Sequence, residues 1–258
     1  MRDSRGDRRG RISIVGIGPG ALDQLSQKAH KAIVESDTIV GYNTYIKLLG
    51  DLAAGKEVIS SGMTQEKNRA QAAIDKALEG RRVSIISSGD PGIYGMAGIV
   101  LEILRSEDKK KIEIEIIPGV MAAAACASLL GAPLAHDFAV ISLSDLLTDR
   151  REIEDRLGAA GKADFVIVLY NPKSKTRAEP LEKAWEIIAK YRSPSTPVGI
   201  VKNAFRDGEV VRIAGLKEAS ALKDIDMTTT VIVGNSKTYV KNGYMITPRG
   251  YKSVISNK

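Results

Sequence analysis

Four stretches of this sequence share one form, a strand-length run of β-branched and apolar residues that stops in a loop stripped of large side chains. They are ISIVGIGPG (12–20), RVSIISSGDPGIYG (82–95), KIEIEIIPG (111–119) and ADFVIVLYNP (163–172). Glycine and proline end a strand abruptly and fix the direction of the chain that leaves it. Between such runs the apolar period changes from about 2 to about 3.6. Leu22, Leu25, Ala29, Ala32 and Ile33 share one face of a helix predicted over 22–35, and further helices are predicted over 64–79, 96–105 and 120–130. Leu181, Ala184, Trp185 and Ile188 mark another, which makes Trp185 a core-facing residue. DTIVGY (37–42), FAVISLS (138–144), PVGIVKNA (197–204), EVVRIAG (209–215) and MTTTVIVGN (227–235) read as additional strands. Strand and helix in alternation predict an α/β chain. The pattern restarts after GAPLAHD (131–137), so two successive α/β domains are expected, 12–119 and 120–258, with the change-over between 118 and 138. Residues 1–11, MRDSRGDRRGR, read as a basic disordered tail.

Charge narrows the partners. The net charge is +7, of which the five arginines and two aspartates of the tail supply +3. The remaining excess favours anionic partners. At 5% aromatic content there is no aromatic-and-basic stripe of the kind that binds single strands, and a small, highly anionic substrate explains the charge as well as nucleic acid does. The longest charge-free run, 118–135, is broken by Gly119, Gly131 and Pro133 and is mostly alanine, too weakly apolar to span a membrane. The one cysteine, Cys126, sits in MAAAACASLL and reads as a buried structural thiol, in keeping with a reducing cytoplasm. Two isolated histidines and that cysteine do not make a metal site.

Several strand ends carry the chemistry. In an open α/β layer ligands bind beyond the carboxyl ends of the strands. Each glycine loop alone is a tight turn; four together predict a backbone-lined slot for a small cofactor. GIGPG with Ala21 also fits the dinucleotide pattern G-x-G-x-x-A. Pro19, however, removes an N–H from the supposed phosphate cradle, and Glu35 and Asp37 precede the second strand where an acid should end it. His30 falls in the first helix pattern and reads as a surface residue. His136, beside Asp137 where the halves meet, is a candidate for acid–base or substrate-binding work, against a structural hydrogen-bonding role.

Taken together, GIGPG, SGDPGIYG, PGVMAA and the YNP after a second-half strand resemble the tetrapyrrole methylases, enzymes that use S-adenosylmethionine. The resemblance runs from Ile12 to about Tyr251. GYNTY (41–45), GAPLAHDFAVISLSDLLT (131–148), LYNPKSKTR (169–177), TPVGIVKNA (196–204) and MITPRGY (245–251) are similar to the members that methylate carbon 17 of precorrin-3B, or of its cobalt-containing counterpart, in cobalamin synthesis. The resemblance implies two α/β domains with S-adenosylmethionine in a cleft between them, a homodimer, and S-adenosylhomocysteine as product. It implies that Gly18 and Pro19 lie near the substrate trough, and that Gly89, Asp90, Ile93 and Gly95 line the methionine part of the cofactor. Asp90 is the one side chain there to answer the cofactor's charge or polar tail. Met121 and Ala122 would contact the cofactor through backbone, although relatives often carry threonine in place of Met121. Tyr170, Asn171, Ala204 and Thr230 would hold the adenosine side. The acetate and propionate groups of such a substrate could pair with Lys173, Lys175, Arg177, Lys202 and Arg206. Tyr42 and Tyr45 could flank the macrocycle or pack as strand-end aromatics.

Overall fold

β1 (Gly10–Gly16) is apolar on both faces, as a central strand of a parallel sheet must be. Ile12 and Ile14 join one core and Val15 another. The structure, a computed structural model, describes residues 9–174 and 179–251. The chain divides into a unit that ends at Ala122 and one that begins at Ala123.

In the first unit, a turn of 3-10 helix (Leu22–Gln24) and α1 (Gln27–Val34) lead to β2 (Thr38–Tyr42). α2 (Asn43–Leu48) and a second 3-10 turn (Gly50–Ala53) precede β3 (Glu57–Ser61). Then come α3 (Glu66–Leu78), β4 (Arg82–Ser87), α4 (Met96–Ile103), α5 (Ser106–Lys109) and β5 (Ile112–Ile117). The strands form one sheet in the order β3-β2-β4-β1-β5, every pairing parallel. Ala70, Ala73, Ile74 and Ala77 of α3 and Met96, Ala97 and Val100 of α4 cover one face. Ala29 and Ile33 of α1 cover the other. All five strands therefore end at one edge, and the order sets the ends of β4, β1 and β5 side by side.

Two expectations shift here. The first helix is shorter than its pattern, because Ser26 accepts the Ala29 N–H at 3.1 Å and caps α1 afresh, leaving Leu22 exposed. The strand also starts earlier: Gly10 and Arg11, assigned to the tail, belong to β1, where Arg11 pairs in register with Arg82 and Glu113 and its guanidinium meets Glu115. Tail residues 1–8 lie outside the described residues.

α6 (Ala122–Leu130) leads into the second unit, which continues with β6 (Gly131–Ala132), β7 (Phe138–Ser142), α7 (Arg150–Lys162), β8 (Val166–Tyr170) and α8 (Glu179–Ile188). β9 (Pro197–Lys202), β10 (Val210–Gly215), α9 (Leu216–Ala219), β11 (Thr229–Val233), β12 (Tyr239–Lys241) and β13 (Tyr244–Ile246) complete it. Its main sheet has the order β10-β9-β11-β8-β7. β7 and β8 are parallel, and β11 runs antiparallel to both β8 and β9, so β7, β8 and β9 all point one way. β12, β13 and β6 form a small second sheet. α6 lies so close to β9 that a Cβ on Gly199 would stand 2.3 Å from a Leu130 methyl. Trp185 is buried with Leu181, Ala184 and Ile188 against Ile153 and Leu157 of α7, as its periodicity predicts. No described helix is long and apolar enough to cross a membrane.

Candidate functional site

At the carboxyl edge of the first sheet the glycines face one another. Gly18 and Gly89 both take left-handed backbone, φ 67° and 64°. They exchange two backbone hydrogen bonds: Gly18 N–H donates to Gly89 O at 3.2 Å, and Gly89 N–H to Gly18 O at 2.8 Å. A Cβ on Gly119 would lie 2.2 Å from Gly89 O, and one on Gly16 would lie 2.7 Å from both Gly89 O and Gly119 N. One on Gly95 would meet Ser87 Oγ at 2.6 Å. The loops leaving β1 and β4 are thus joined backbone to backbone, and the loop leaving β5 packs closely against both. The close approaches that Gly16 and Gly119 permit are between neighbouring loops. The bridge also removes the dinucleotide reading, because the Gly18 N–H that would cradle a phosphate is already donated.

Asp90 holds this junction. Its Oδ1 accepts the Gly92 N–H at 2.8 Å and its Oδ2 the Gly119 N–H at 3.1 Å. The carboxylate expected to answer a cofactor charge is engaged in tying the β4 loop to the β5 loop. Around it the edge presents neutral side chains. Ile93 is exposed, Met121 and Ala122 are half-buried, and Tyr94 stands outward with φ 52°. Pro19 is buried in the turn beside Gly18. Tyr42 and Tyr45, at the end of β2 and in α2, meet edge to face with ring centres 5.1 Å apart.

The second unit repeats the arrangement with different chemistry. At the end of β8 the Tyr170 hydroxyl accepts the Ala123 N–H at 2.7 Å, satisfying an amide in the first turn of α6. Tyr170 O accepts from Leu143 N–H at 2.9 Å, and Asn171 Nδ2 donates to Ser142 Oγ at 2.9 Å. Asn171, Asn203 and Phe205 all take left-handed backbone, φ 52°, 49° and 57°. Such residues cluster where a loop is shaped for contact. Ala204 sits between two of them and is half-buried.

Lys202, expected to meet substrate carboxylates, is instead paired with Asp226 at 2.6 Å. Burial acts to raise the Asp226 carboxyl, but hydrogen bonds from Lys202 and Thr228 outweigh it and bring the pKa to about 2. Thr230 is 7% exposed and hydrogen-bonds the Cys126 thiol, which burial pushes up to about 11. Cys126 is therefore a protonated core residue, as its sequence context implies, and the Thr230 hydroxyl faces that core. Lys173 is half-buried just beyond Asn171. Lys175 and Arg177 lie outside the described residues.

His136 is not brought to this edge. It precedes β7, whose opposite end carries Ser142, and Asp137 O accepts the Val166 N–H at the start of β8. Five residues of extended strand, about 17 Å, separate it from Tyr170 and Asn171. Its Nδ1 accepts the Asp137 N–H at 2.8 Å, a local turn contact. Strand direction, which sequence spacing does not reveal, puts His136 at the amino edge of β7, away from Tyr170 and Asn171. His30 is exposed, as expected. Asp226, Ser142 and Asn203 join the site without being singled out by sequence; Ser142 and Asn203 fall inside stretches that carry the resemblance, and only the turn composition of DMTT hints at Asp226.

A tetrapyrrole (corrin/porphyrin) methylase family model matches residues 11–220. The chain is 50% identical over 247 residues to the cobalt-factor III methyltransferase of Priestia megaterium, a match covering 95% of this chain and 46% of that longer protein. It is also 50% identical over 240 residues to a probable cobalt-factor III C(17)-methyltransferase of Salmonella typhimurium, covering 93% of this chain and 99% of that one. Among solved structures, that of the methyltransferase CobJ superposes with a TM-score of 0.86 at 34% identity, over 93% of this chain and 100% of the other. A uroporphyrin-III C-methyl transferase from Thermus thermophilus, complexed with S-adenyl homocysteine, shares the fold at a TM-score of 0.66 and 21% identity, over 87% and 97% of the two chains.

Proposed function

This chain belongs to the tetrapyrrole (corrin/porphyrin) methylases, and we propose that it transfers a methyl group from S-adenosylmethionine to carbon 17 of cobalt-factor III or precorrin-3B, with contraction of the ring, in cobalamin biosynthesis. The observation that carries this reading is the 50% identity to the Salmonella protein over nearly the whole of both chains. Because the chain spans less than half of the Priestia relative, the reading concerns the methyltransferase reaction alone.

The residues fit the cofactor by their chemistry. A flat adenine and a positively charged sulfonium call for neutral walls and main-chain contacts, and the described edges offer these. In the first unit Gly18 and Pro19 would border the cofactor near the substrate trough, and Gly89, Ile93, Gly95, Met121 and Ala122 would line the methionine part, with Asp90 keeping the loops in place. In the second, Tyr170, Asn171, Ala204 and Thr230 would take the adenosine, Thr230 from a buried position beside Cys126. Tyr42, Tyr45 and Lys173, with Arg177, are proposed to take the macrocycle and its carboxylates. The protein is proposed to act as a homodimer.

S-Adenosylmethionine supplies an electrophilic methyl group, so the transfer is an in-line displacement that needs no strong base. What the chain contributes is alignment, which can provide up to roughly 7–11 kcal/mol. The junction would serve that purpose, because flexing it breaks the Gly18–Gly89 pair of hydrogen bonds or the bond from Gly119 to Asp90, and Gly16 and Gly119 leave no room for the backbone to shift inward. Titration calorimetry with S-adenosylhomocysteine tests the first step: micromolar binding is expected, and no heat at high micromolar concentration would count against the reading.

A further inference from the structure

Arg69 carries a charge and is nevertheless only 5% exposed. Buried cations are costly unless fully paired, so what Arg69 pairs with is informative. Its Nη1 donates to Ser61 Oγ at 3.0 Å and to Gly62 O at 2.7 Å, and its Nη2 donates to Glu66 Oε1 at 3.0 Å. Ser61 and Glu66 flank the loop 62–65 that leaves β3 for α3, and Gly62 is its first residue. Within that loop Thr64 is held at φ 62°, a conformation β-branched residues rarely adopt and keep only where their surroundings enforce it. Beside it Met63 is turned out, 57% exposed. A buried cation and a strained threonine thus maintain a loop that displays an apolar side chain.

The place of that side chain is set by register. Tyr42 of β2 pairs with Ser61 of β3, so the loop adjoins the Tyr42–Tyr45 pair at the same carboxyl edge. β3 is the outermost strand and β2 lies between it and β4. At about 4.8 Å per strand, Met63 stands roughly 10 Å to the side of the loops that would hold the cofactor. We propose that Met63 extends the two tyrosines into a shelf for the tetrapyrrole and is a specificity-determining contact for it, with Arg69 as the positioning residue that presents it. A polarisable, unbranched thioether suits the face of a large conjugated ring. The inference rests on the reading of this chain as a tetrapyrrole methyltransferase.

The test is an absorbance titration of the full chain with cobalt-factor III, and in parallel with precorrin-3B, without S-adenosylmethionine. Met63→Asp, at an exposed position, sets a carboxylate against an anionic ligand, and its tetrapyrrole affinity is expected to fall about tenfold or more. S-Adenosylhomocysteine affinity in the same variant should stay within about twofold, and Met63→Leu should bind the tetrapyrrole within about threefold of the parent. In turnover, Met63→Asp and Arg69→Gln should raise KM for the tetrapyrrole while leaving KM for S-adenosylmethionine unchanged. If the parent binds a tetrapyrrole and Met63→Asp binds it equally well, the shelf is overturned and the methyltransferase reading stands. If the parent binds neither tetrapyrrole, both fall together.

Discussion

The carboxylate of Asp90 accepts the backbone N–H of Gly119 at 3.1 Å, joining the loop after β4 to the loop after β5 across 29 residues of sequence. A charge-assisted bond of this kind contributes more than a neutral one. Its second oxygen holds Gly92, so removal loosens both loops at once. Asp90→Ala is expected to lower stability by about 1–3 kcal/mol and to weaken S-adenosylhomocysteine binding together with it. Denaturant titration and calorimetry on the one variant check the pair. A variant of parental stability that binds weakly would mean that Asp90 touches the cofactor directly.

The glycine junction predicts a contrast between two alanine substitutions. Gly119→Ala places a Cβ 2.2 Å from Gly89 O, where backbone must move, and should destabilise by about 1–3 kcal/mol with loss of cofactor binding. Gly98, exposed in α4, has nothing within 4 Å of its Cβ position, so Gly98→Ala should be neutral or stabilise by up to about 1 kcal/mol. Thermal unfolding of the two proteins distinguishes them.

How much of this could be read from the sequence differs by residue. β1 and β4 are legible because burial on both faces writes an unbroken apolar run, and Trp185 is legible because its helix keeps a strict period. α7 is not, because most of its surface is polar and few positions, among them Ile153 and Leu157, reach the core. The glycines announce that something comes close without saying what, and only the strand order shows that Gly16, Gly89 and Gly119 approach one another. The same holds for Lys202, whose partner Asp226 lies on the far side of β10 and α9 in the chain.

Acid should act on the Lys202–Asp226 pair. The Asp226 pKa in the folded chain, about 2, lies below its ordinary 3.8. A depressed carboxylate contributes stability that is complete above its ordinary value and is lost as pH falls toward the folded one. Asp226→Asn should therefore show a flatter loss of stability between about pH 4 and pH 2 than the parent. Its cost near neutrality should be under about 1 kcal/mol, since Asp226 is 44% exposed and solvent screens the pair. Melting temperature measured against pH reads both effects, and identical slopes would mean that the pair does not link protonation to folding.

His136 stands at the amino edge of β7 with its Nδ1 turned to the Asp137 amide. His136→Ala should leave kcat within about threefold of the parent, far short of the roughly 10²–10⁴-fold that removal of a general acid or base produces. A loss of hundredfold or more would return the proton-transfer role to this residue.

The central claim is tested most directly by incubating the chain with isotopically labelled S-adenosylmethionine and, separately, cobalt-factor III and precorrin-3B, and then weighing the tetrapyrrole by mass spectrometry. One labelled methyl group on the ring-contracted product of at least one substrate is the predicted result. Both tetrapyrroles recovered unlabelled, from a chain that binds S-adenosylhomocysteine, would contradict it.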